Sequence, residues 1–384
     1  MNPTVHSVEA ILVDLPTIRA HQLAMATMQQ QTLVIVRLRC SDGVEGIGEA
    51  TTIGGLSYGD ESPEGIKLTI DTYLAPALAG LDATNVHAAM ARLNKIARGN
   101  RFAKCALETA LLDAQAKRLG VPLSTLLGGA VRPTLPVLWT LASGDTQRDI
   151  DEAETLLAGC RHNTFKLKIG RRSVRDDVAH VSAIKRALGE RARVTVDVNQ
   201  AWNEADAATG IAMLEAAGID LIEQPTPREQ RGALARLAAR FVVPIMADEA
   251  LTGPEDAVEL VRGACADVFA LKIAKSGGIH GMLRTAAVGD AAGIALYGGT
   301  MLEGTIGTLA AAHGFCTLPQ LAWGTELFGP LLVKDDIVTE RPVYRDFDLH
   351  LPAGPGLGLV IDEDKLAFYR RDSVRVTSRP AAAA

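Results

Sequence analysis

From residue 133 onward, short apolar runs alternate with amphipathic, alanine-rich segments. The runs cover residues 135–141, 164–169, 194–198, 221–223, 244–248, 268–273, 294–297 and 321–325. Each is short and nearly continuous in apolar character, the pattern of a parallel strand covered on both faces. The segments between them place apolar residues at three- and four-residue spacing, which predicts helices. Strand alternating with helix is the βαβ unit, and eight such units predict a closed barrel over residues 131–332.

The first 130 residues follow a different rhythm. Runs at 8–15, 32–39 and 43–50 are rich in β-branched and aliphatic residues, with the turn signal Ser41-Asp42-Gly43 before the third. They predict an antiparallel meander. Residues 18–31, polar and bearing His21, are long for a hairpin connection and read as a loop able to close over a site. A second candidate lid is TTIGGLSYGDESPE, residues 51–64, with glycines at 54, 55 and 59; a plain surface connection is the alternative. Helical periodicity follows at 66–79, 85–97 and 102–119, the last stopped by Gly120 and Pro122. Residues 1–130 thus predict an α+β capping domain. The remainder, 333–384, predicts a return to that domain through residues 343–351 and 359–361, ending in a disordered SRPAAAA tail.

Composition narrows the class of partner. A chain of 384 residues has room for a barrel and a companion domain. Its 48% hydrophobic and 22% charged content is that of a soluble protein. A formal net charge of −6 gives no electrostatic reason to expect nucleic acid or an anionic membrane. No apolar stretch approaches the ~20 residues that span a bilayer, and the N-terminus lacks a basic region followed by an apolar one. Five scattered cysteines with no C-x-x-C spacing argue against a zinc site or a disulfide framework. The expectation is a cytoplasmic protein acting on a small molecule.

Polar residues at the strand ends carry the chemistry. From Lys168 to Asp197 is 29 positions, then 26 to Glu223, 25 to Asp248 and 24 to Lys272. One helix, one strand and two loops need about that many, so these residues share one level, at the C-terminal face where barrels do chemistry. In TFKLKIG, Lys166 and Lys168 point the same way because strand side chains alternate. Two like charges so close depress each other's pKa, which suits a proton-transferring lysine; a solvated edge strand is the alternative. Asp197, Glu223 and Asp248 are hard oxygen donors suited to Mg²⁺ or Mn²⁺. Helix N-caps are the alternative for any one of them, but three uncompensated carboxylates would repel each other, which calls for a divalent cation. Lys272 faces Lys168 across this set, an arrangement able to move a proton next to a carboxylate whose enediolate the ion stabilises. Glu326 adds a polar group on the closing side, unless it is a surface loop residue.

K-x-K, DVNQAW, IEQP, ADE and LKIAKSGG together resemble the enolase superfamily, in its muconate lactonizing subgroup, over almost the whole chain. The resemblance implies an α/β fold: a modified TIM barrel of (β/α)7β type with an N-terminal α+β capping domain completed by the C-terminal segment. TTIGGLSYGDESPE and TELFGP resemble the members that are isomerases (intramolecular lyases) closing cis,cis-muconate to muconolactone in catechol degradation, the β-ketoadipate route. By resemblance, Asp197, Glu223 and Asp248 hold Mn²⁺ or Mg²⁺, and Lys168 protonates the enolate formed when the far carboxylate adds across a double bond. Lys166 lowers the pKa of Lys168 and balances substrate charge; Lys272 helps electrostatically from the opposite side, because the addition is syn; Glu326 joins the catalytic set. Asn199 and Glu249 orient ligands and Lys272. Ile53, Tyr58, His21 and Phe328 contact the dicarboxylate substrate, with Ile53 and Phe328 at positions that separate muconate from chloromuconate enzymes. The assembly implied is a homo-octamer.

Three alternatives stand beside this one. A chloromuconate enzyme is a near neighbour. A racemase or epimerase of dipeptides or N-acyl amino acids would use Lys168 and Lys272 as opposed bases. It is weakened because dipeptide epimerases, which resemble this sequence, carry D-x-D after strand eight where this chain has Thr325-Glu326-Leu327. Mandelate racemase-like members and acid-sugar dehydratases are weakened because they use a histidine after strand seven, where this chain runs LYGGTM. A metal-dependent binding protein without turnover would not need the close K-x-K pair.

Overall fold

The computed structural model describes residues 2–22 and 27–371; the SRPAAAA tail lies outside the described residues. Three strands, β1 (Val5–Gln22), β2 (Thr27–Cys40) and β3 (Glu45–Thr51), form an antiparallel meander in that order. Gly43, at φ +84°, turns β2 into β3. Of residues 18–31, expected as a loop, 18–22 and 27–31 are instead strand, and 23–26 lie outside the described residues. After a register shift between Pro16 and His21, β1 and β2 keep pairing through His21↔Met28 and Gln22↔Thr27. Pairing satisfies backbone groups that a loop would leave to water.

The helix Arg101–Leu119 lies across the inner face of this meander and buries 14 of its residues, polar ones included. It approaches β3 so closely that only glycine fits. A Cβ on Gly46 would lie 1.9 Å from the Ala110 carbonyl oxygen, and one on Gly48 1.9 Å from that of Ala106. Asp113, fully buried, locks the arrangement: it accepts from the Ile47 amide at 2.9 Å and the Leu357 amide at 2.8 Å, and pairs with Lys117 at 2.7 Å. The helical stretch expected at 66–79 is Pro63–Thr69 and Ala75–Leu78 with a π turn, Ile70–Leu74, between them.

The apolar run at 135–141 divides. β4 (Thr134–Pro136) leaves the barrel, and β5 (Trp139–Leu141) begins it. Then come β6 (Thr164–Lys168), β7 (Arg193–Asp197), β8 (Leu221–Glu223), β9 (Ile245–Ala247), β10 (Val268–Leu271) and β11 (Ala295–Gly298), all parallel and in sequential order. The eighth run, 321–325, is not a strand. Gly324, at φ +64°, breaks its extension, and only Thr325 pairs, in parallel bridges to Gly298 and Val137. Those bridges close the ring: Leu138 N donates to Thr325 O at 2.9 Å, and Glu326 N to Gly298 O at 2.8 Å. The result is a (β/α)7β barrel.

The C-terminal segment divides as well, where a single return to the meander was expected. β12 (Val343–Arg345) and β13 (Asp348–His350) form a hairpin that adds to β4, with Leu349 opposite Leu135 and both fully buried. The segment also reaches the meander at both ends: Val333 bridges Thr17 and Lys334 N donates to Pro16 O at 2.9 Å, and after the helix Glu363–Tyr369, Arg370 pairs with Val13. A second link runs from β3 to the barrel. Glu49 accepts from Gly304 N at 2.7 Å and Gly307 N at 2.8 Å, capping the helix Thr305–Phe315.

Candidate active site

The parallel register brings the predicted residues to one level. Lys168 is opposite Asp197, and Asp197 is opposite Glu223. Asp248 lies just past the end of β9. Asn199 and Gln200, at φ +46° and +68°, turn the chain sharply after β7, and the Asn199 amide donates to Asp197 Oδ1 at 2.9 Å. Gln224, in the IEQP stretch, accepts through Oε1 from the amides of Asp248 (3.0 Å) and Ala250 (3.1 Å), tying β8 to the end of β9.

Each carboxylate meets a lysine. Lys168 Nζ lies 2.8 Å from Asp197 Oδ2 and 3.3 Å from Asn199 Oδ1. Lys166, 1% exposed, sits 2.6 Å from Glu223 and 2.8 Å from Glu326. Lys272 and Lys275 take the two oxygens of Asp248, at 2.7 and 2.8 Å. Tyr58 donates its hydroxyl to Asp248 and accepts from Lys272 at 3.0 Å. Asn199 Nδ2 donates to Glu249 Oε1 at 3.2 Å, and Tyr297 donates to Glu326 at 3.0 Å.

This pairing reverses one expectation from the sequence. Burial pushes the Lys168 ammonium down, but Asp197 and then Glu326 pull it up by more than Lys166 lowers it, and its pKa stands above the ordinary lysine value. Lys166 is likewise held well above it: burial is outweighed by Glu223 and Glu326. The second correction concerns charge. Four ammonium groups already compensate the carboxylates, so repulsion alone does not call for a metal ion. Burial, then Asp248 and Asp197, raises Glu249 to about 7.

Between these groups is a narrow cleft of ≈ 20 Å³. Lys168, Lys272, Asp197, Glu223, Asp248, Asn199 and Glu326 line it, with Ile53, Tyr58 and Phe328. Lys166 and Glu249 lie behind the lining. The backbone of His21 pairs with Met28, and its side chain lies outside the described residues. Sequence reasoning missed Thr300 and Leu302, which also line the cleft, and Lys275. A second lysine three positions after Lys272 was a usable signal for Lys275; nothing in the TMLE stretch marked the other two.

The donor chemistry fits a hard divalent cation: three carboxylates at adjacent strand ends, with no histidine or cysteine among the described residues that line the cleft. Glu223 Oε2 is buried and faces Lys166 Nζ at 2.6 Å outside hydrogen-bond geometry, so it keeps a lone pair that such an ion takes. As they stand, the side chains turn toward lysines. No three His, Cys, Asp or Glu groups among the described residues converge to coordinating distance.

Comparison with known proteins places this geometry. Residues 7–128 match the profile of the mandelate racemase / muconate lactonizing enzyme N-terminal domain, and residues 148–365 match the enolase C-terminal domain-like profile. The chain is 62% identical over 369 residues to muconate cycloisomerase 1 of Pseudomonas putida, covering 96% of this chain and 98% of the relative. Against a chloromuconate cycloisomerase of Pseudomonas putida, identity is 46% over 367 residues, covering 96% and 99%. The solved structure of the muconate lactonizing enzyme of Pseudomonas fluorescens complexed with muconolactone superposes with a TM-score of 0.96 at 61% identity, covering 97% of this chain and 100% of that one. The chain belongs to the mandelate racemase and muconate lactonizing enzyme family of the enolase superfamily.

Proposed function

We infer that the chain is an isomerase, a muconate cycloisomerase, that closes cis,cis-muconate to muconolactone. The margin of identity carries the reading: 62% to a muconate cycloisomerase against 46% to a chloromuconate enzyme, each over nearly the full chain. The site supports it, with a proton-bearing Lys168 on one side of the cleft and apolar walls from Ile53, Leu302 and Phe328 suited to a flat conjugated diene.

Asp197, Glu223 and Asp248 would hold the divalent cation, Mn²⁺ or Mg²⁺. When bound, it neutralises a substrate carboxylate and stabilises the charge that develops there. Asp197 is the largest of the charges that hold the Lys168 pKa up, so an ion on Asp197 would weaken that pull and leave those of Glu326 and Glu223. An oxygen of the substrate's far carboxylate forms a C–O bond to the near end of a double bond. The displaced electron pair moves to the carbon beside the other carboxylate, as its enolate. Lys168 Nζ delivers a proton to that carbon and regains one from solvent. Lys166 and Glu326 hold Lys168 in a fixed field, Lys272 balances charge from the other side, and Lys275 with Tyr58 fixes Asp248. The Asn199–Glu249 bond orients the β7 turn.

The same proposal includes a place in catechol degradation in the cytoplasm and a homo-octameric assembly, which light scattering of the purified protein checks. No helix among the described residues is long and apolar enough to cross a membrane. The decisive assay follows the ultraviolet absorbance of cis,cis-muconate after adding protein and Mn²⁺, with EDTA and Lys168→Ala as controls. Rapid loss of the diene signal, abolished by both controls, is expected. An unchanged signal with the metal-loaded protein would remove the reading and leave the barrel standing.

A further inference from the structure

Arg101, the first residue of the helix Arg101–Leu119, takes no part in the chemistry above, yet it crosses from the capping domain to the barrel. Its Nη1 donates to two backbone carbonyls, those of Thr252 and, at 3.2 Å, Lys275. Thr252 lies on the loop after β9 that begins with Asp248, and Lys275 on the loop after β10 that carries Lys272. One nitrogen therefore staples two loops of the site. The start of the helix is itself pinned, because Glu61 accepts from the Phe102 and Ala103 amides at 2.9 and 3.3 Å. Further along, Glu108 accepts from the His280 amide at 3.2 Å, and a Cβ on Gly278 would lie 2.0 Å from Glu108 Oε2. The same helix thus also fixes the far end of the β10 loop.

The staple bears on one of the three carboxylates. Lys275 Nζ holds Asp248 twice, through its backbone carbonyl and through Oδ1 at 2.8 Å. The other oxygen, Oδ2, meets Lys272 at 2.7 Å and the Tyr58 hydroxyl, two groups that line the catalytic cleft. Lys275 and Arg101 instead line a separate cleft of ≈ 770 Å³ between capping domain and barrel. Oδ1 is held from behind, and Oδ2 faces the site. A cation gains most from a carboxylate oxygen already in place, and it is the groups behind a ligand that place it.

We propose that Arg101 is a positioning residue for the divalent cation: it fixes the backbone of Lys275, Lys275 fixes Oδ1 of Asp248, and Oδ2 is left aimed at the ion. This deepens the function inferred above and rests on its metal site. The capping domain then takes part in metal binding without contributing a ligand.

The test reads Mn²⁺ binding to the purified protein without substrate, from the electron paramagnetic resonance signal of the free ion. Arg101→Met should weaken the Kd by about 10-fold or more, the loss expected for a group that orients a metal ligand, and at saturating Mn²⁺ its kcat for muconate should return to within about 3-fold of the unaltered enzyme. Arg101→Lys, which keeps one ammonium to bridge the two carbonyls, should hold the Kd within about 3-fold. Arg101→Gln, too short to reach them, replaces Arg101→Met should that variant fail to fold. Adding Arg101→Met to Lys275→Met should weaken the Kd no further than Lys275→Met alone, because both act through one chain of contacts. Arg19→Met breaks a different bond between capping domain and barrel, Arg19 Nη1 to Glu152 at 2.7 Å, and should leave the Kd unchanged. A Kd unaltered in Arg101→Met and Arg101→Gln would overturn the proposal. So would a Kd weakened equally by Arg19→Met, since loosening the capping domain anywhere would then suffice. If the unaltered protein takes up no Mn²⁺, the metal site of the functional reading fails and this inference with it; Mn²⁺ uptake that no Arg101 variant alters removes the inference alone.

Discussion

Removing the ammonium of Lys166 tests the charge pattern of the site directly. Lys166→Met keeps the length of the side chain and leaves Glu223 and Glu326, both buried, without the cation that stands 2.6 and 2.8 Å away. Stripping one partner from a buried ion pair costs about 3–5 kcal/mol. At an unfolding entropy of about 2.1 cal/mol/K per residue, that lowers the melting temperature by about 4–6 °C for a chain of this length. The pH dependence has a definite sign. Burial alone would raise Glu326, and Lys166, Lys168 and Lys272 hold it below the usual carboxylate range. In Lys166→Met its folded pKa rises above the unfolded value of about 4.3. The folded state then binds more protons than the unfolded one between those two values, so stability falls as pH increases through that window. Thermal melts at pH 5 and pH 8 read this out: the deficit relative to the unaltered protein should be larger at pH 8. A variant whose melting temperature matches the unaltered protein at both values would refute the argument that Lys166 is the counter-ion of these carboxylates.

Other expectations follow from the same contacts. Glu49, raised to about 7 by burial, takes up a proton on folding, so its contribution makes stability fall as pH rises from about 4.3 through about 7; Glu49→Gln should flatten that part of a melting-temperature profile. Asp113→Ala orphans the Ile47 and Leu357 amides and should cost about 2–6 kcal/mol in denaturant titration, at about 1–3 kcal/mol for each. Gly48→Ala would drive a methyl into the Ala106 carbonyl, and we expect a loss of soluble protein that Ala50→Gly, on the same strand, does not show. Removing metal with EDTA should abolish turnover while leaving the far-ultraviolet circular dichroism unchanged, because the lysine pairs hold the carboxylates without it.

What the sequence determined by itself is what local order can encode. Alternation gave the meander, three- and four-residue spacing gave the helix Arg101–Leu119, and the 24–29 residue interval between Lys168, Asp197, Glu223, Asp248 and Lys272 put those side chains on one face of a barrel. Ile53, Tyr58 and Phe328 were legible through resemblance, and the structure brings them to the same cleft.

Tertiary structure decided what depends on partners far along the chain. The run at 135–141 is uniformly apolar, and only the arrival of β13 assigns its first half to a separate sheet. Residues 18–31 look like a loop until each edge finds the other. Thr300 and Leu302 carry no chemical signal; the Leu302 carbonyl is held by Gln31 from β2, far along the chain, while Thr300 bonds Glu303 within its own loop. The direction of the Lys168 shift was the sharpest case. A K-x-K spacing shows one repulsion, whereas the folded site adds the attractions of Asp197, Glu326 and Glu223. Electrostatic energy sums over every neighbour in space, and the sequence displays only the neighbours along the chain.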